Sequence, residues 1–126
     1  NGASGIMMGD PVNFLTTLDV GHVVQGNKIG TDVTGSAALP NGDQGTRIGS
    51  HVPGSFYRIG GTGIRIVDNL ISGNMDNGLL IVGYTVVVQG NTIGADITGN
   101  AYLGNAGDGI YIGPVDDAVV RDNLIS

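Results

Sequence analysis

The stretch from Val88 to Gly113, VQGNTIGADITGNAYLGNAGDGIYIG, repeats one from Val24 to Gly49, VQGNKIGTDVTGSAALPNGDQGTRIG, that stands 64 residues earlier and is identical at 15 of 26 positions without a gap. This limits what the chain can fold into. A unit that cannot bury its own apolar face must stack on its neighbours, and long-period repetition of that kind builds a solenoid.

Residue choice then decides the secondary structure of the units. The 11 acidic residues are all Asp, Lys28 is the only lysine, and 24 of the 126 residues are Gly. Helix surfaces are filled with Glu, Lys and Gln, whereas Val, Ile, Thr, Asn and Gly belong to strands and turns, so almost no helix is expected. The formal net charge is −6 with the five basic residues scattered, and a phosphate-binding footprint needs clustered Lys and Arg. That argues against nucleic acid and anionic membrane surfaces as partners. No window reaches the roughly 18 continuous apolar residues of a membrane span, so no membrane insertion is expected. Without Cys there is no disulfide framework and no thiolate metal site.

Four copies of Asn-x-Ile mark the strands: Asn27-Lys28-Ile29, Asn69-Leu70-Ile71, Asn91-Thr92-Ile93 and Asn123-Leu124-Ile125. Three residues before each Asn stands Val24, Ile66, Val88 or Val120, and five before stands His22, Ile64, Val86 or Ala118. Gln25, Val67, Gln89 and Arg121 fall between column and turn. This is period-two alternation, the mark of a strand with one buried face. A second strand follows a Gly, with Ile6, Thr46, Leu79 and Ile110 in one inward column and Met8, Ile48, Ile81 and Ile112 in the other. Met7, Arg47, Leu80 and Tyr111 point outward, and Thr46 is the poor fit.

Successive Asn positions are 42, 22 and 32 residues apart. The 22-residue step is what one coil of three short strands requires, and the longer steps read as the same coil with surface loops inserted. We therefore expect an all-β, right-handed parallel β-helix of about four coils, roughly 5–30, 45–72, 78–94 and 109–126. The paired insertions are Thr31 to Asn41 and Ala95 to Asn105, with an extra one from Ser50 to Gly61. Stacking places Asn27, Asn69, Asn91 and Asn123 in one row, where inward side-chain amides satisfy buried turn groups.

These residues resemble the right-handed parallel β-helix repeat proteins of the pectate-lyase-like superfamily. IGTDVTG at 29–35 and IGADITG at 93–99 look like repeats of large secreted or cell-surface bacterial proteins, and DNLISGN at 68–74 and DNLIS at 122–126 look like their alternating partner coil. The resemblance covers most of the chain beyond about Gly21. It implies a prokaryotic-type extracellular or cell-surface location, and a fold that carries lyases, hydrolases, epimerases, adhesins and plain scaffolds.

Polysaccharide-cleaving relatives use clustered Asp with a nearby Arg or Lys. Here the nearest approach is Asp116 with Asp117 and Arg121, then Asp68 with Asp122 and Arg65. Adjacent Asp residues in a strand diverge, and Asp68 and Asp122 occupy turn positions, so no catalytic set is expected. Asp32 and Asp96 lie in the repeated Asp-x-Thr-Gly, which reads as a side-chain-capped turn and offers Ca²⁺ only part of its shell. Cofactors are otherwise not expected. Tyr102 and Tyr111 are the candidates for stacking on sugar rings.

Two functions from different classes follow. The leading one is an extracellular structural or adhesive β-solenoid without chemistry of its own. The other is a polysaccharide-binding or polysaccharide-cleaving module. The start, Asn1-Gly-Ala-Ser-Gly5-Ile6, matches Asn74-Met-Asp-Asn-Gly78-Leu79, so one copy is phased to continue where Ser126 of another leaves off. Self-association head to tail into a fibre, or membership of a longer array, is the expected partnership, with an arbitrary fragment boundary as the alternative reading of the same phasing.

Overall fold

The computed structural model describes residues 2–8, 20–51, 58, 59 and 61–126, with only the backbone of Ser50, His51, Arg58 and Ile59. The expected start at Asn1 and the tip of the Ser50 to Gly61 insertion, Tyr57 included, lie outside the described residues.

Twelve strands and no helix make up the described chain: β1 Ile6–Met8, β2 Val23–Gln25, β3 Lys28–Ile29, β4 Thr46–Ile48, β5 Ser50–His51, β6 Arg58–Ile59, β7 Ile64–Val67, β8 Leu70–Ile71, β9 Leu79–Gln89, β10 Thr92–Ile93, β11 Ile110–Arg121 and β12 Leu124–Ile125. Apart from the antiparallel pair β5 and β6, the named strands pair in parallel. Three ladders result. Ile6, Thr46, Leu79 and Ile110 are register partners in the first. Val24, Ile66, Val88 and Val120 are partners in the second, and Ile29, Ile71, Ile93 and Ile125 in the third. This all-β arrangement of parallel ladders is compatible with a β-solenoid.

Those columns supply the core. Ile48, Ile64, Ile66, Ile71, Leu79, Ile81, Val86, Val88 and Ile93 are fully enclosed, and Val24 and Ile29 join the same cluster. Stacking equal or near-equal β-branched side chains at strand spacing fills the interior without large voids. Thr46 takes the Leu79 position of its column, with its Oγ1 buried and unpartnered. His22, assigned to an inward column, is exposed and lies just ahead of β2 rather than in it.

The strand lengths differ from expectation. Where the sequence divides into two short strands, β9 and β11 each run unbroken through the intervening residues and pair with one another along their length. The register shifts between Ile112 and Val115. Pro114, which has no N–H to give to a ladder, sits in that irregularity, where its loss costs no pairing.

Candidate functional site

The recurring polar residues are placed by the turns between ladders. Asn69 donates through its backbone N to Asn91 Oδ1 at 2.9 Å, and through Nδ2 to the same oxygen at 3.0 Å, to Val24 O at 2.9 Å and to Val67 O at 3.0 Å. Asn91 repeats this toward Asn123 Oδ1 at 2.9 Å from both nitrogens, and toward Ile66 O and Gln89 O. Asn27 donates from N and Nδ2 to Asn69 Oδ1 at 3.0 and 3.1 Å. Each step therefore points its donors from the earlier Asn to the later one. Buried backbone carbonyls that would otherwise lack a partner are satisfied in the process.

A second row of the same kind was missed in the sequence. Asn41 Nδ2 donates to Asn74 Oδ1 at 2.9 Å, and Asn74 donates from N and Nδ2 to Asn105 Oδ1 at 3.0 and 2.8 Å. Asn105 Nδ2 reaches Ile71 O at 3.1 Å. The signal was present as Asn-x-x-x-Gly at 41–45, 74–78 and 105–109, with Asn41 and Asn105 as the last residues of the stretches read as loop.

Between these rows runs an alternation of turn residues. Gly26, Asp68, Gly90 and Asp122 each precede a ladder Asn, and all four have positive φ, at 69, 55, 68 and 57°. Asp is among the few residues with Cβ that tolerate this region. Gln25 Nε2 donates to Asp68 Oδ2 at 3.3 Å and Gln89 Nε2 to Asp122 Oδ2 at 3.5 Å. Asp68 Oδ1 lies where a Cβ on Gly90 would stand. The Asp therefore fills space that the next Gly leaves open.

The two insertions close over the outer face. Leu70 is only 3% exposed although the alternation directs it outward. Its Cδ2 and the Cβ of Ile97 both pack on Gly35, and Ile97 N donates to Gly35 O at 2.9 Å, so both loops meet above it. Within the first loop, Asp32 Oδ1 accepts from the backbone N of Gly35, Ser36 and Ala37, at 2.8, 3.1 and 3.3 Å. Thr34 Oγ1 donates to Asp32 Oδ2 at 2.8 Å. Asp96 is capped likewise, by Thr98 Oγ1, Asn100 N and Ala101 N. The Thr34 hydroxyl, ahead of the backbone donors, holds the Asp32 carboxyl below its usual range. For Asp96 the Ala101 amide is the leading cause, followed by Thr98. A cation at either turn must compete with those donors, and among the described residues no three His or Asp side chains gather as a metal group.

Asp116 and Asp117 are both exposed on β11, where Asp117 is in register with Thr85. Arg121 Nη2 donates instead to Gln89 Oε1 at 2.9 Å. Asp68 and Asp122 are kept in separate strata with Gly90 between them. Tyr111 is outward and 47% exposed in register with Met7, Arg47 and Leu80, while Tyr102 is 78% exposed with its ring over Gly104.

The two ends of the ladders differ. At one, Val120, Leu124 and Ile125 are 38, 46 and 49% exposed. At the other, Val24 and Ile29 are buried, and a cavity of about 350 Å³ opens between Gly5, Ile6, Asn27, Ile29, Leu39 and Asn41. No protein-family model matches the chain, and no curated protein or solved structure matches it either.

Proposed function

We propose that the chain is a right-handed parallel β-helix of four coils, 5–30, 45–72, 78–94 and 109–126, and that it serves as a structural or adhesive solenoid outside a prokaryotic-type cell. The matched registers of the three ladders support the coil reading. The extracellular role rests on the resemblance of IGTDVTG and IGADITG to secreted and surface repeats of the pectate-lyase-like superfamily. One observation carries the structural role: the repeated polar side chains of Asn69, Asn91 and Asn74 spend their hydrogen bonds on neighbouring coils. Residues conserved in position along a stack for cohesion are not thereby arranged around a substrate.

Incubation with uronate polymers under lyase and hydrolase conditions should give no turnover. Activity that Asp116→Ala or Asp117→Ala abolishes would replace this reading with an enzymatic one. Polysaccharide binding is the second reading, favoured by the outward column in which Arg47 and Tyr111 share a face with Leu80. An aromatic ring and a guanidinium on a flat sheet suit a sugar ring and its acidic substituent. Retention on a glycan array that Tyr111→Ala and Tyr102→Ala remove would support it.

A further inference from the structure

Resting on the four-coil reading, we propose that the insertions 31–41 and 95–105 form a clasp that ties the first coil directly to the third across the second, so that opening either joint of the second coil breaks the same contact.

A stack in which each coil touches only its neighbours opens step by step, because a change at one joint is not felt at the next. Strand spacing sets the first and third coils about 10 Å apart, too far for a bond between their ladders. The loops cross that gap. Ile97 N, in the loop of the third coil, donates to Gly35 O, in the loop of the first, at 2.9 Å. The Ile97 Cβ also lies against Gly35, where a Cβ on that Gly would have to stand.

The second coil is gripped between the two loops at two points. Leu70, 3% exposed, sets its Cδ2 against Gly35 beneath the junction. Gly73, in the turn that follows, donates its N to Leu103 O of the later loop at 3.0 Å, and a Cβ on it would meet Ala38 of the earlier one.

Both loops are built to carry load from coil to coil. Each is closed by an antiparallel bridge, Thr31 with Ala38 and Ala95 with Tyr102. Each tip is a β-turn, with Gly35 N on Asp32 O at 3.0 Å and Gly99 N on Asp96 O at 2.9 Å, braced further by its Asp carboxylate. The first coil therefore cannot leave without losing its hold on the third, nor the third without losing its hold on the first.

Amide exchange in urea below the unfolding transition tests this, because it reads the opening of each joint separately. Leu70 N and Ser72 N, which donate to Asn27 O and Ile29 O, report the joint of the first and second coils. Thr92 N and Gly94 N, which donate to Asn69 O and Ile71 O, report the joint of the second and third. Ile97→Pro deletes the N–H and the apolar side chain of the clasp. Proline suits the second position of the turn that Asp96 begins, and Ile97 is not among the residues of positive φ. Both amide pairs should exchange at least about tenfold faster in this variant. Ile97→Ala keeps the N–H and should show the same pattern with a smaller factor, which covers a failure of Ile97→Pro to fold. Val86→Ala trims the core of the third coil away from the loops; it should speed Thr92 and Gly94 and leave Leu70 and Ser72 as in wild type. Leu70 and Ser72 unmoved by both Ile97 variants overturn the proposal. Val86→Ala moving both pairs as the Ile97 variants do overturns it equally, since the effect is then a general loss of stability. The Asn69 and Asn91 amides, bonded to the next asparagine of their row, show which reading has failed. Protected, they leave the solenoid standing without its clasp; exchanging as in an unfolded chain, they defeat the coil reading and the clasp with it.

Discussion

Asp68 Oδ1 lies beside Gly90 at the point where a Cβ would have to stand, so the acidic turn of one repeat fits against the glycine turn of the next. Because the side chain of Asp68 can swing aside, this contact sets register more than it sets stability. Backbone contacts are stricter. Gly30 has φ +83° and faces Ser72 O, a backbone atom, whereas Gly26 at +69° faces open space. Gly30→Ala and Gly26→Ala both incur about 1–2 kcal/mol for the left-handed conformation, and Gly30→Ala should lose clearly more in chemical denaturation. Matching losses would show that the Gly30 and Ser72 backbones are not in contact.

Thr46 is fully buried, with its Oγ1 unpartnered, in a column otherwise held by Ile6, Leu79 and Ile110. A hydroxyl deprived of water and of any partner costs about 1–3 kcal/mol. Thr46→Val keeps the shape and removes that cost, so the urea midpoint should rise. A fall would mean that the hydroxyl does have a partner.

How much of this was legible in the sequence depends on whether a position's neighbours are near it in the chain. The register of Thr46 with Leu79, and of Val24 with Ile66, could be read because alternation and the Asn-x-Ile spacing are local. Leu70 could not. It occupies an outward position, and the loops that bury it come from 31–41 and 95–105, one from each flanking repeat. The Asn41, Asn74 and Asn105 row was hidden for a related reason, since Asn41 and Asn105 close long insertions while Asn74 follows a short turn. The continuity of β9 and β11 was masked by Gly83 and by Gly113-Pro114, which resemble strand breaks but lie within continuous strands. Of the candidate sites, the capped turn at Asp32 was local and readable; the Arg121 to Gln89 bond joins residues from different repeats.

Asp32 and Asp96 set a pH dependence. Their carboxyls are held below the usual 3.8 by the hydroxyl and backbone donors of their own turns. A depressed folded pKa gives stability that is fully present above the unfolded value and lost as pH falls from about 3.8 through the folded value. The thermal midpoint should drop in that window, and less so in the variant Asp32→Asn, Asp96→Asn. An equal drop in both proteins would assign the acid sensitivity elsewhere.

The same turns bear on calcium. With both oxygens of Asp32 already accepting hydrogen bonds, added Ca²⁺ should leave the thermal midpoint unmoved, since a ligand stabilises only by binding the native state. A rise that grows with Ca²⁺ and vanishes in Asp32→Ala and Asp96→Ala would make the turns an ion site.

The claim that inward asparagines hold the repeats together is tested most directly at Asn91, which is 1% exposed beside the half-buried Thr92. Urea unfolding of Asn91→Ala should show a loss of about 1–3 kcal/mol, because Ile66 O, Gln89 O and the Asn69 amide lose their partner. Thr92→Ala should stay within about 0.5 kcal/mol of wild type. Equal losses at the two positions would contradict the asparagine ladder as the source of cohesion.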